Sequence, residues 1–240
     1  MYEPYQRFEI LNNFFGFGNP KGGIWFIGLE EAGEWTFESY KKDKPNLTHE
    51  EYLNIVDNFI HKYYDNKEGY LQMNKYEVLH LRGRLYDNIH LILCNDIIKF
   101  DKIPNVFLGN LFPLSLSHHN QVIWDKIFPE YRILFNLEEN DRDLEKYISR
   151  VSKIRFVIIR EKFLKFEPQL IVCHGITSYY YFQQCFEFKK TEPEYYKNNS
   201  NKYFVCKEKP IIVVNQLSSA KSLDLFREKQ LETINEKFNN

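Results

Sequence analysis

No apolar run in the sequence is longer than a strand. Runs such as Ile24–Ile27 and Ile211–Val214 are far too short to cross a bilayer, so no membrane-spanning segment is expected. A basic start followed by an apolar block is also missing from the opening MYEPYQRFEI, so no secretory signal is expected and the chain reads as cytoplasmic. Neither sign of charge dominates: 32 Lys and Arg stand against 33 Asp and Glu, which excludes a polybasic tail protein. A hydrophobic share of 43% excludes a disordered chain. Cysteine is scarce, and Cys94, Cys173, Cys185 and Cys206 fall at no C-x2-C spacing. Three of them sit in or beside apolar segments and read as reduced, buried thiols, with no metal site and no cofactor. Internal repeats and low-complexity linkers are absent too. The 240 residues therefore read as a single domain, 1–240, with a monomer expected.

Four short runs have the pattern of strands buried on both faces, as in a parallel sheet covered by helices: Gly23–Leu29, Val106–Leu111, Gln169–His174 and Pro210–Asn215. The spacing between them predicts helices. Thr48 and Glu51 can form a capping box ahead of an apolar stripe of Leu53, Val56, Phe59, Ile60 and Tyr63. A second helix runs from Asn74 to about Leu93. A third opens at Asp141 or Asp143, carries Leu144, Ile148, Val151, Ile154 and Ile158 inside, and stops before Pro168. Thr177 or Ser178 caps a fourth over Tyr179–Phe188, and Ser218 or Ser219 caps a last one. Asn198–Asn201 and Lys41–Asn46 read as loop tips. The expected fold is α/β: a three-layer α/β/α domain with a central four-stranded parallel sheet and helical insertions after its first two strands.

Each of the four strands ends in small or polar residues, and in parallel sheets ligand chemistry gathers at those carboxyl ends. The first runs into Gly28-Leu29-Glu30-Glu31-Ala32-Gly33-Glu34. A carboxylate held on such a turn can align a water or stabilise a developing cation on a sugar ring, and the same pair also reads as an acidic helix start. The second strand ends Gly109-Asn110-Leu111-Phe112-Pro113. The Asn110 amide offers a donor and an acceptor, which suits a nucleobase edge or the tidying of backbone groups at a strand end. The fourth ends Asn215-Gln216-Leu217-Ser218-Ser219-Ala220-Lys221, either an anion site at a helix start or an ordinary Ser cap. His174 closes the third strand, facing the site or capping the sheet.

The ordered set, strand-GLEEAGE, strand-NLFPLS, PQLIVCHG and strand-NQLSSAKSL, resembles the uracil-DNA glycosylase superfamily. In that family a first motif of the GQDPY, GEAPG or GINPG type supplies the water-directing residue. An Asn on the second strand reads the base, and a last motif, commonly HPSxLS, supplies a His and a loop that wedges into DNA. The resemblance covers the four strand ends and little of the helical sequence between them. It implies Glu30, with Glu31 as its alternative, as the catalytic acid. Asn110, Gln216 and His174 would bind the base, with Trp35 or Phe112 stacking on it. Ser218, Ser219, Ala220 and Lys221 would bind the DNA, the last three in the loop that wedges into it. Two departures stand out: Gln216 replaces the His, and Ala32 and Gly33 stand where uracil enzymes place a bulky residue against pyrimidine C5.

The resemblance therefore implies a monofunctional glycosylase with DNA as its partner, excising a C5-modified pyrimidine such as hydroxymethyl- or glucosyl-hydroxymethylcytosine of phage DNA and leaving an abasic site. A uracil-excising repair enzyme, a non-catalytic nucleic-acid-binding module of the same fold, and a parallel α/β enzyme acting on free nucleosides are the other readings. The net charge of -1 weighs against a duplex binder unless basic residues such as Lys41, Lys42 and Lys44, Arg82 and Arg84, or Lys221, Arg227 and Lys229 share a face.

Overall fold

Each of the four apolar runs forms a strand. The computed structural model describes residues 2, 4–21, 23–29, 37–74, 77–78, 105–113, 144–192, 194–196, 201–206, 208–215 and 217. Among them the strands are β1 (Gly16–Gly18), β2 (Ile24–Gly28), β3 (Tyr70–Leu71), β4 (Val106–Asn110), β5 (Leu170–His174), β6 (Glu194–Tyr196), β7 (Asn201–Val205) and β8 (Ile211–Val214). The helices are α1 (Pro4–Asn13), α2 (Phe37–Asp43), α3 (His49–Tyr63), α4 (Leu144–Phe166) and α5 (Tyr179–Phe186), the last preceded by a 3-10 turn at Ile176–Ser178. Contacts group the chain into one unit of Met1–Phe15, Glu30–Leu71 and Asn110–Ile159 and another of Gly16–Leu29, Gln72–Gly109 and Arg160–Asn240.

The second unit holds a mixed sheet of seven strands in the order β1-β4-β2-β5-β8-β7-β6. It is wider than the four strands expected. The four apolar strands form its middle, and antiparallel strands extend it on both sides: β1 against β4, and the β6–β7 hairpin against β8. β2 runs parallel to β5, and β5 parallel to β8. The amide of Ile24 donates to the carbonyl of Asn105 at 2.8 Å, which joins the beginnings of β2 and β4, so these neighbours also run the same way. Every residue of β2, β5 and β8 is buried, which is why these stretches are continuous apolar runs rather than alternating ones. Trp25 is wholly enclosed beside Phe107, and its indole N–H donates to the carbonyl of Pro20 at 2.8 Å. β1 lies close against β4 because Gly18, at φ 107°, has no side chain; a Cβ there would sit 2.3 Å from the Val106 carbonyl oxygen. α5 packs against the end of α4 through Phe163 and Phe186, with ring centroids 5.9 Å apart.

The first unit is helical and is tied by a buried ion pair. Arg7 of α1, 2% exposed, donates from Nε to Asp57 Oδ1 of α3 at 2.8 Å, and the amide of Tyr2 donates to the other carboxylate oxygen. Phe14 meets Tyr64 edge-on, and Tyr40 of α2 meets Tyr52 of α3. The buried side of α3 is Tyr52, Val56, Asp57 and Ile60. Leu53, Phe59 and Tyr63 are half-buried, so the inward face is turned from the expected stripe toward Asp57. α4 ends before Pro168 as expected, but Ile154 is 46% exposed and Arg155 lies inside instead.

The capping box at Thr48 and Glu51 forms with both reciprocal bonds. Asn74 and Glu77 make a second such pair beside helical residues 77–78, and the rest of the helix expected from Asn74 to about Leu93 lies outside the described residues. Ser178 precedes α5 without the expected side-chain cap bond. The helix expected after Ser218, and the caps at Asp141 and Asp143, lie outside the described residues. No described helix is long and apolar enough to cross a membrane.

Both the capping box and the buried ion pair can be tested. Hydrogen bonds from the amide and hydroxyl of Thr48 hold the Glu51 carboxyl below its ordinary value of 4.5. A carboxylate whose pKa falls on folding stabilises the fold above its unfolded value and loses that contribution as pH drops through the folded one. Glu51→Gln is thus expected to lower Tm at neutral pH, with the deficit closing as pH falls below 4.5, read by thermal unfolding at stepped pH. Asp57→Ala takes the carboxylate from a buried guanidinium and is expected to cost about 3–5 kcal/mol in urea unfolding. The paired change Arg7→Met with Asp57→Leu should recover most of that loss.

Candidate functional site

Because β4, β2, β5 and β8 are neighbours running in one direction, their carboxyl ends open at one edge of the sheet. In chain order these are the second, first, third and fourth apolar strands. The chain leaves β2 to one side to make β4, then returns to the other side to make β5. The connections therefore diverge between β2 and β5, and open α/β sheets bind ligands in the crevice at such a switch point. The two strands that border it end in Gly28-Leu29 and His174-Gly175.

His174 is the last residue of β5 and is 4% exposed. Its register partner on β8 is Val214. On the other side the register pairs Ile27 with Cys173, so the next step sets Gly28 beside His174. Paired residues of parallel strands share a face, so the imidazole stands between Val214 and a residue with no side chain. Gly175 follows at φ 111° and ψ 69°, a left-handed conformation that turns the chain at once into the 3-10 turn and α5. Its amide donates to the Val214 carbonyl at 2.9 Å, which closes the β5–β8 ladder at the site edge. The preceding Cys173 belongs to the opposite face. Burial, and secondarily the nearby thiol of Cys185, push the Cys173 thiol well above its ordinary pKa. It stays neutral and unreactive near pH 7.

Asn110 ends β4 half-buried, and its carbonyl accepts from Arg155 Nη2 at 3.2 Å. Phe112 is fully buried, its ring centroid 6.0 Å from that of Phe156, so it packs as core. Glu30, Glu31, Trp35, Gln216, Ser218, Ser219, Ala220 and Lys221 lie outside the described residues. Of the expected site residues, the structure describes His174 and Asn110, both at carboxyl strand ends, and Phe112 in the core. Sequence reasoning missed Arg155, which is 1% exposed and donates to the carbonyls of Leu111, Asn110 and Asn12. The one sequence signal was a cation interrupting an apolar helical stripe.

Among the described residues, no group of His, Cys, Asp and Glu side chains is arranged to hold a metal ion. Cys173, Cys185 and Cys206 are buried. No protein-family model matches the chain, and no curated protein matches it.

The conformation at Gly175 yields a direct test. A side chain is strained at φ 111°, so Gly175→Ala is expected to cost about 1–3 kcal/mol in chemical denaturation. A loss within experimental error would mean that the turn after β5 relaxes without penalty.

Proposed function

We propose that the protein is a DNA glycosylase that flips a modified pyrimidine out of the stack and hydrolyses its N-glycosidic bond, leaving an abasic site. The observation that carries this reading is the placement of the motif-bearing strands. The four strands whose ends resemble the uracil-DNA glycosylase motifs are immediate neighbours, run parallel, and end at one edge of the sheet.

Cleavage leaves positive charge on the sugar and negative charge on the departing base. Glu30, or Glu31 in its place, stabilises the sugar cation and steers a water to C1′. Asn110 reads the hydrogen-bonding edge of the base. Gln216 and His174 hydrogen-bond the base as it leaves with the bond's electron pair. Ser218, Ser219, Ala220 and Lys221 contact the opened DNA. Exposed Lys41, Lys42 and Lys44 at the end of α2 and in the turn beyond it add cations for phosphate contact. Small residues at Ala32 and Gly33 leave room for a C5 substituent, which favours a modified cytosine over uracil. A three-layer α/β/α arrangement, a monomeric state and a cytoplasmic location belong to the same reading, as does catalysis without a cofactor.

Gln216 in place of the imidazole-bearing residue favours one competitor, a non-catalytic DNA-binding module. The test is alkali-induced strand breakage on a DNA panel containing uracil, thymine mismatches, hydroxymethylcytosine and glucosylated cytosine. Glu30→Ala and Glu31→Ala proteins are assayed beside the wild type. Breakage on C5-modified cytosine, abolished by one of the two changes, is the expected result. Breakage on uracil alone moves the assignment to a repair enzyme. Binding to every DNA without breakage on any of them supports the non-catalytic module.

A further inference from the structure

The geometry points to Arg155 as the positioning residue of the base-reading Asn110, an inference that rests on the glycosylase reading. Its guanidinium is 1% exposed on α4. Nη2 donates to the Asn110 carbonyl at 3.2 Å and Nε to the Leu111 carbonyl at 3.3 Å, while Nη1 donates to the carbonyl of Asn12 near the end of α1. Two successive carbonyls, the last of β4 and the first beyond it, are thus held by one planar fork whose donors keep fixed directions.

The consequence falls on Asn110. Upstream, its backbone belongs to β4. Downstream, the peptide joining it to Leu111 cannot rotate without lengthening a bond to Arg155. With φ set by the strand and ψ by the guanidinium, the rotamers open to the Asn110 amide are few. An amide that must meet a base edge with both donor and acceptor aligned needs that restriction, because a shift of about 1 Å in a positioned group can cost roughly 100-fold in rate. Packing alone does not call for a cation here. α4 carries aliphatic residues on either side of Arg155, including Ile154 and Val157, and leaves those two exposed.

The experiment is a double-mutant cycle on the full chain, using whichever panel DNA the wild type cleaves best. Asn110→Ala, Arg155→Lys and the double variant are compared in single-turnover rate, in KM and in discrimination between cytosine-type and uracil-type bases, whose hydrogen-bonding edges differ. A lysine ammonium is too compact a donor to hold three carbonyls at once, yet it keeps the positive charge. Arg155→Lys is expected to unfold cooperatively, to cut the single-turnover rate by about 100-fold with KM for DNA nearly unchanged, and to blunt discrimination. The double variant should be no slower than Asn110→Ala, since both changes remove one function.

Losses that multiply in the double variant, or an Arg155→Lys protein that is less stable but keeps its rate and discrimination, would overturn the inference. If R155K does not fold, R155Q goes through the same cycle with the same criteria. A wild type that makes no abasic sites on any substrate defeats the glycosylase reading itself, and the base-reading role of Asn110 with it.

Discussion

Three backbone carbonyls converge on one buried guanidinium, and much of the first unit is organised around that demand. The carbonyl of Asn12 belongs to the last turn of α1, where helical carbonyls lack partners within the helix. Those of Asn110 and Leu111 lie where β4 gives out and its chain leaves the sheet. Buried carbonyls must find a donor, and a guanidinium removed from water must find acceptors; each group alone would cost several kcal/mol. Arg155 satisfies both demands at once. The end of α1, the turn beyond β4 and the middle of α4 are therefore mutually required, and losing any one leaves polar groups of the others exposed to an apolar interior.

The same economy explains why two helices present faces other than those their sequences suggest. On α3 the periodic stripe of Leu53, Val56, Phe59, Ile60 and Tyr63 is only half taken inside. The helix turns so that Asp57 can reach Arg7, and Tyr52 follows it into the core. On α4 the stripe includes Ile154, yet the helix buries Val151, Arg155, Phe156 and Ile159. Hydrophobic periodicity assumes that every charged residue faces water. Where one charged side chain has a buried partner, the preferred rotation of the whole helix shifts by the angle needed to bring it inside. A partner distant in sequence, as Arg7 is from Asp57, cannot be read from local spacing.

The sheet was more legible than the helix faces. The four central strands are buried on both sides, which requires continuous apolar runs, and such runs are visible without any tertiary information. β1 was not legible because Gly16-Phe17-Gly18 has no strand pattern; it is a strand by virtue of the close approach that Gly18 permits to β4. β6 and β7 were not legible because a peripheral hairpin needs no unbroken apolar run; of the Asn198–Asn201 stretch expected as a loop tip, Asn201 is instead the first residue of β7, paired with Tyr196, and 198–200 lie outside the described residues. For the site, residue type and strand-end position picked out His174 and Asn110, whereas the role of Phe112 as core and that of Arg155 as carbonyl clamp depend on partners remote in sequence.

Strand order also bears on how the glycosylase reading accommodates Gln216. A glutamine amide can donate to a leaving base but cannot become a cation, so its stabilisation of a developing anion is the weaker kind. His174 ends the neighbouring strand and is registered with Val214, two residues before Gln216. In a parallel sheet that register sets the ends of the two strands at the same edge. Gly28, the next residue in register on β2, contributes no side chain beside His174. On the glycosylase reading we propose, the His174 imidazole takes over that role one strand away from where the resemblance puts it. On this reading the acid that steadies the sugar and the imidazole that receives the base leave from the two strands bordering the switch point. Charges of opposite sign that develop on either side of one breaking bond call for that division of labour.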